Sequence, residues 1–390
     1  MKITNVEPLV LGNPWKAWFF VLVHTDQGIV GIGEGEGWTF AQASAAFVEQ
    51  NKESFFIGKD PFRVEQLVKD AQLKLYERWG YGPVTMGVLG AVETACFDIM
   101  GKTLNVPAST FFGGKIFDRL RVYANGWYTR VKQPAEWAAK AAEIVGLGYT
   151  ALKFDPFGSA YRHLPAGGLK RGIAIIEAVR TEVGEGVDLI IEGHGRFSIA
   201  EAVEIGRAIT PYRPRWFEAP IHNFLGPESH LQVKSKIDIP IATDLAGIKD
   251  RYEAVEFCRM QAVDVFQPDF RDNGGALETK FMAQVAETYA IDYAPHQANG
   301  PVGTAIYAQL NSTCANFVMQ EHFEPFASPP WLQEVFQGVP LASTDGFLDV
   351  PARPGWGIDI NVAAARKYPQ DNAQGEIDLF RPGWERRSFK

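Results

Sequence analysis

Glu192, Glu218, Asp244, Asp269, His296 and Glu321 follow one another at intervals of 26, 26, 25, 27 and 25 residues. Each closes a short, mostly apolar run, such as Val187 to Ile191 before Glu192 or Arg215-Trp216-Phe217 before Glu218. Runs of that length read as buried strands, so an ionisable side chain stands at one strand end after another. Any one of these residues alone could be a helix N-cap or a solvated loop charge; what sets them apart is that six lie in phase. Three carboxylates from consecutive strand ends, Glu192, Glu218 and Asp244, cannot all stay ionised side by side without a cation. Oxygen donors with no cysteine point to a hard ion, Mg²⁺ first. Asp269 and His296, on the next two strands, form the carboxylate–imidazole pair of a general base. His194, two residues past Glu192, should face the same mouth and serve as a general acid. Lys153 and Asp155 share one face of a strand as an i, i+2 pair, and Lys153 is suited to balance a substrate's negative charge. Arg196 reads equally as a substrate contact or a plain loop arginine. Together these parts suit abstraction of a proton beside a metal-polarised carboxylate through an ene-diolate, with an opposing acid expelling a hydroxyl.

The elements that must position these residues are legible in the pattern. Residues 1 to about 35 alternate or run apolar as strands, with a turn at Asp26-Gln27-Gly28 and a loop, Gly12 to Ala17, whose Trp15 suits a lid. Helical periodicity follows over 41–53, 64–78 and 85–102, giving an α+β unit over residues 1–117. From Leu120 strand and helix alternate strictly. With strands at 120 and 151 the ring of six makes eight strand–helix units, which predicts a (β/α)₈ TIM barrel over residues 118–334, its catalytic groups at the C-terminal strand ends. The segment 335–390 lacks the repeat and is expected to pack back on the N-terminal capping unit.

Composition narrows the partners. A net charge of −8 over 390 residues argues against nucleic acid, which needs a basic face. The three cysteines, Cys96, Cys258 and Cys314, are far apart and lack metal spacing, as free thiols of a reducing cytosol would be. With no uninterrupted apolar run of about 18 residues and no signal-like opening, the expectation is a cytoplasmic protein without a membrane span.

The ordered set of local motifs resembles the mandelate racemase branch of the enolase superfamily, and within it the acid-sugar dehydratases of the galactonate type. The motifs include Leu152-Lys153-Phe154-Asp155-Pro156, Glu192-Gly193-His194-Gly195-Arg196, Glu218-Ala219-Pro220, Gln267-Pro268-Asp269, Asn273-Gly274-Gly275, Ala294-Pro295-His296 and Pro354-Gly355-Trp356-Gly357-Ile358. The resemblance spans essentially the full length. It implies Mg²⁺ on Glu192, Glu218 and Asp244, the His296–Asp269 pair as base at C2, and His194 as the acid at the C3 hydroxyl. It further implies that Glu321 holds the enediolate oxygen and that cap loops around Trp15 and Trp79-Gly80-Tyr81 select the sugar. A homo-oligomer acting on a small sugar acid is implied as well.

Three positions depart from the family pattern. Glu192 stands where Asp is usual. On the fifth barrel strand Asp244 comes one residue early, with Leu245 where a Glu would fall, and a one-residue slip reverses a strand side chain. Asp244 is then an unusual ligand, acts through water, or lies outside the set. Asp155 replaces the second lysine of the Lys-x-Lys found in racemases and lactonizing enzymes, which disfavours a two-base racemase. The leading expectation is a Mg²⁺-dependent dehydratase of an aldonate or aldarate. The alternatives are an epimerase or cycloisomerase acting on a sugar acid, lactone or anhydro sugar acid, and a non-catalytic sugar-acid binder.

Overall fold

The computed structural model describes residues 1–13, 16–76, 82–243, 249–298, 300–323, 326, 328–340 and 345–370. Trp15, Trp79, Tyr81 and Asp244, singled out above, lie outside the described residues.

The chain begins with an antiparallel sheet of β1 (Ile3–Gly12), β2 (Ala17–Thr25) and β3 (Val30–Gly35), in that order. The central β2 is buried along nearly its whole length, which is why its sequence, Ala-Trp-Phe-Phe-Val-Leu-Val-His-Thr, is continuous rather than alternating. Helices α1 (Ala41–Phe55), α2 (Val64–Tyr76) and α3 (Pro83–Leu104) complete the cap. Alternate glycines on β3 let α3 lie directly on the strand: a Cβ at Gly31, Gly33 or Gly35 would run into the carbonyls of Ala95, Ala91 and Gly87. Those three contacts recur every four residues along one helix face. By length and composition alone α3 could cross a membrane, but 83% of its apolar 18-residue stretch is buried inside the protein. It is the core helix of the cap.

Eight parallel strands follow: β4 (Arg119–Ala124), β5 (Ala151–Phe154), β6 (Asp188–Glu192), β7 (Trp216–Glu218), β8 (Ile241–Ala242), β9 (Val265–Phe266), β10 (Asp292–Tyr293) and β11 (Gln320–His322). Each pairs with the next from β4 to β10, and β11 pairs with β4. The ring closes because Tyr293 bridges in parallel to Phe317, with Tyr293 N donating to Asn316 O and Val318 N to Tyr293 O, each at 2.9 Å. This is the expected (β/α)₈ barrel with an N-terminal α+β cap. Its outer helices include α4 (Pro134–Gly146), α5 (Gly168–Val183), α6 (Ile199–Ile209), α7 (Gly226–Lys234) and α8 (Arg251–Arg259). A short α9 (Phe270–Asn273), then α10 (Ala276–Thr288) and α11 (Pro301–Asn311), complete the set.

The tail does not pack on the cap alone. Trp356 donates its backbone N–H to Asp98 at 3.0 Å and its indole N–H to Thr94 O at 2.8 Å, both on α3. However, Phe347–Asp349 pairs antiparallel with residues 119–121 of β4. Only residues 122–124 of β4 pair with β11, so the first half of β4 has an edge to cover.

Two buried cap carboxylates fix the barrel's helices from above. Glu93 of α3 accepts from Ala276 N and Leu277 N, both at 2.9 Å, at the start of α10. Glu34 of β3 accepts from Gly300 N and, at 2.8 Å, from Gly303 N at the start of α11. The amides at a helix start lack intrahelical partners and carry the positive end of the dipole, so carboxylates suit them. Burial still pushes the Glu93 carboxyl up to about 8 and that of Glu34 to about 7. In the unfolded chain Glu93 ionises near its ordinary value of 4.5, so its burial opposes folding increasingly between pH 4.5 and 8. Glu93→Gln, which loses an accepted hydrogen bond, should unfold at a lower temperature than the parent at pH 5. The gap should narrow or reverse by pH 8. Thermal unfolding of both proteins across that range tests this, and parallel profiles would exclude a raised Glu93.

Candidate active site

One side chain from each barrel strand or its immediate extension fills the barrel centre: Tyr123, Ala151, Ile190, Trp216, Ala242, Val265, Ala294 and Met319. Residues two further along share the same face. They are Asn125, Lys153, Glu192, Glu218, Gln267, His296 and Glu321, with position 244 outside the described residues. The polar layer therefore lies directly on the apolar one. Ala242 is in register with Glu218 and faces inward, which is the parity that a ligand at 244 requires.

Lys153 organises this layer. Its ammonium, with the residue only 2% exposed, contacts Glu218, lies 2.9 Å from Glu321 Oε1 and 3.3 Å from Glu192 Oε2. Burial opposes its charge, but Glu218 and Glu321 outweigh that and hold its pKa well above the ordinary lysine range. It is thus bound to the protein's own carboxylates. Glu192 and Glu218 are register partners on adjacent strands. Glu192 accepts the His194 backbone N–H at 2.6 Å, and Glu218 accepts the Trp216 indole at 2.9 Å. Burial, with Glu192 and Glu321 nearby, raises the Glu218 carboxyl to about 8 despite Lys153. Glu321 differs. Burial acts upward, yet Lys153, His296 and the Gln297 N–H bring it down to about 2. It accepts from Asn125 Nδ2 at 2.6 Å and Gln297 N at 2.7 Å besides Lys153. An ionised acceptor so occupied has no proton to offer an enediolate oxygen, which alters the role expected of it.

Two aspartate–histidine pairs flank this layer, one of them through His296. His296 Nδ1 lies 2.9 Å from Asp269 Oδ2, and Arg271 donates Nε to Asp269 Oδ1 at 3.1 Å and Nη2 to Oδ2 at 2.8 Å. His194 Nδ1 lies 2.7 Å from Asp155 Oδ2, and Arg196 grips both Asp155 oxygens at 2.6 and 2.7 Å. Burial would raise both aspartates. The arginines and histidines reverse this, holding Asp155 at about 2 and Asp269 well below the carboxylate range. The histidines follow the third and seventh strands of eight, which stand on opposite sides of the ring.

The left-handed backbone at His194 (φ 50) and Gly195 (φ 65) turns the chain back toward Asp155. Such a conformation is uncommon for a side-chain-bearing residue and concentrates at functional sites. Asp155 and Arg196, expected at the substrate, are 0% and 2% exposed and pair with each other. The structure makes them a mount for His194 rather than a contact surface. Sequence reading missed Arg271, Asn125 and Gln267. Asn125 and Gln267 were findable as the i+2 neighbours of Tyr123 and Val265. Gln267 is 1% exposed, and its side-chain amide has no hydrogen-bond partner among the described residues. Among the described residues no group of three His, Cys, Asp or Glu surrounds a single ion position; the described part of the expected metal set is the Glu192–Glu218 pair.

The family model described as "Enolase C-terminal domain-like" matches residues 136–365. The one described as "Mandelate racemase / muconate lactonizing enzyme, N-terminal domain" matches residues 15–113. The chain is 31% identical over 379 residues to the D-gluconate/D-galactonate dehydratase of Picrophilus torridus, covering 95% of this chain and 93% of that protein. It is 32% identical over 388 residues to the D-gluconate dehydratase of Thermoproteus tenax, covering 97% of this chain and 77% of the relative. Among solved structures, a mandelate racemase/muconate lactonizing enzyme from Sulfitobacter sp. superposes with a TM-score of 0.88 at 29% identity, covering 97% of this chain and 98% of that one.

The Asp155 arrangement has a consequence for stability. Asp155→Asn would deprive a buried guanidinium of its bidentate carboxylate and should cost about 3–5 kcal/mol. Denaturant unfolding measures this, and adding Arg196→Gln should restore part of the loss. A stability unmoved by Asp155→Asn would mean that the pair is not structural.

Proposed function

The chain belongs to the mandelate racemase/muconate lactonizing enzyme branch of the enolase superfamily, and from that premise we propose that it is a sugar-acid dehydratase. The substrate is an aldonate or aldarate, and the product is a 2-keto-3-deoxy acid. One observation carries the reading: two aspartate-held histidines follow strands on opposite sides of the ring, whose mouth also holds the buried carboxylates of adjacent strands. Dehydration needs a base on one carbon and an acid at the leaving oxygen of the next, and this arrangement supplies both.

His296, with Nδ1 held by Asp269, takes the C2 proton on Nε2, and the adjacent carboxylate stabilises the imidazolium that forms. His194, oriented by Asp155, donates a proton to the C3 hydroxyl as the C–O bond breaks, so water leaves with the electron pair. The resulting enol then tautomerises to the keto acid. Lys153, rather than Glu321, would donate a hydrogen bond to the C1 oxygen that gains charge. Glu321 and Asn125 keep Lys153 in position.

The donor set fits a hard dication. Glu192 and Glu218 present carboxylate oxygens from adjacent strand ends, and the repulsion that raises Glu218 is what a metal would relieve. Glu192, Glu218 and Asp244 would hold Mg²⁺. When bound, the ion would polarise the substrate carboxylate and spread the charge that develops on proton removal.

The relatives' names, which specify gluconate and galactonate, support starting with those aldonates. Incubating the protein and Mg²⁺ in D₂O with D-gluconate, D-galactonate and other aldonates and aldarates, read by mass spectrometry, should give a product 18 Da lighter before deuterium correction. Deuterium gained without loss of water would instead indicate epimerisation or cycloisomerisation. In His296→Asn, C2 exchange should fall by about 10² or more; undiminished exchange would assign the base elsewhere. Asp244→Asn should weaken Mg²⁺ binding more than it lowers the unfolding midpoint. An unchanged metal titration would remove Asp244 from the site.

A further inference from the structure

The two aspartate–histidine pairs differ in what lies behind them. Behind His194, the Arg196 guanidinium grips Asp155 and lies over the Phe197 ring, all within the barrel. Behind His296, Arg271 is shared: besides Asp269, its Nη1 lies 3.1 Å from Glu36 Oε2. Glu36 belongs to the cap and directly follows β3. Arg271 is 2% exposed and Glu36 7%, so the bridge is shielded from solvent and salt. Glu36 is also rigidly mounted, because Gly87 of α3 has room for no more than a hydrogen beside the Glu36 Cβ and backbone N.

We propose that Glu36 is a positioning residue for the His296–Asp269 base, acting across the cap–barrel boundary through the two-armed guanidinium of Arg271. This rests on the reading of His296 as the base. It adds that the base is set only when the cap is seated. A lysine could not replace Arg271, since a point ammonium cannot hold two carboxylates in fixed directions.

The groups around the relay fix the sign of its effect. His296 faces the negative charges of Asp269 and Glu321. Arg271 faces Asp269 and Glu36, with Asp272 and Glu34 further off; Lys16 partly offsets Glu34. Removing the Glu36 charge leaves Arg271 less compensated, and its positive field then disfavours the His296 imidazolium. Removing the Arg271 charge does the opposite.

The test is a titration of histidine imidazole signals by NMR in the full-length, histidine-labelled protein, with His296 assigned by its loss in His296→Asn. It needs no substrate, so a failed relay is distinguishable from a mistaken dehydratase. Glu36→Gln should lower the His296 midpoint by roughly 0.5 pH unit or more. Arg271→Gln should raise it, and neither change should move His194. Opposite shifts confined to His296 would not arise from a general loosening of the fold. If either variant fails to fold, the other decides. A His296 midpoint unmoved, or moved the other way, in a folded variant overturns the proposal; so does an equal shift at His194.

Discussion

A side chain on a strand of a closed barrel has two directions open to it, inward or outward, and they alternate. The whole mouth of this protein follows from that constraint. Once one inward residue per strand packs the centre around Trp216 and Ile190, the residue two further along must also face inward. Burial leaves that next layer no choice but to find partners among its own members. Lys153 meets Glu192, Glu218 and Glu321 because four strands deliver them to one level. The interval of about 26 residues in the sequence is the length of one strand, one helix and two loops. The chemistry is periodic because the fold is.

Charge compensation then separates residues that look alike in sequence. Asp155, Glu218 and Glu321 are all almost wholly buried, yet Asp155 and Glu321 are held at about 2 while Glu218 is pushed to about 8. Depth does not distinguish them. Asp155 is gripped by both arms of Arg196 beside His194, and Glu321 has two amide donors and His296 besides Lys153. Glu218 shares Lys153 with Glu192 and Glu321 and is repelled by both. Arginine serves the aspartates because its planar fork fixes both oxygens and so fixes the histidine beyond. Lysine serves the acidic cluster, where one compact charge must address several partners.

This explains what the sequence disclosed and what it hid. Strand ends, parity and the His296–Asp269 pairing were legible, since each follows from spacing along consecutive units. The Asp155–Arg196 pair was not. Parity placed Asp155 in the mouth, but the left-handed turn at His194 and Gly195 that brings Arg196 back beneath it carries no periodic signal. Glu321 was legible as a mouth residue and not as an ionised acceptor, because its state depends on Lys153, Asn125 and Gln297 from three other segments. The tail's pairing with β4 was hidden for a related reason. It depends on β4 outrunning β11, a difference in strand register that neither segment reveals alone. At α3 the small and apolar residues answer to the glycines of β3, on which its backbone lies directly.

The cap is attached by a different kind of interaction from the one that organises the mouth. Glu34 and Glu93 each accept two backbone N–H groups from the start of a barrel helix. An ion pair between flexible side chains tolerates sliding; a carboxylate seated on two amides at a helix start does not, because both donors are fixed by the backbone. Two such seats, on α10 and α11, fix the cap's orientation as well as its contact. Burying these carboxylates opposes ionisation, as their raised proton affinities record, so stability alone does not explain their placement. Registration does. A cap joined to a barrel through buried carboxylates on two helix starts has a defined height and angle. The glycine-lined contact of β3 with α3 makes the cap stiff enough to transmit that registration from Glu93 at one end to Glu34 at the other.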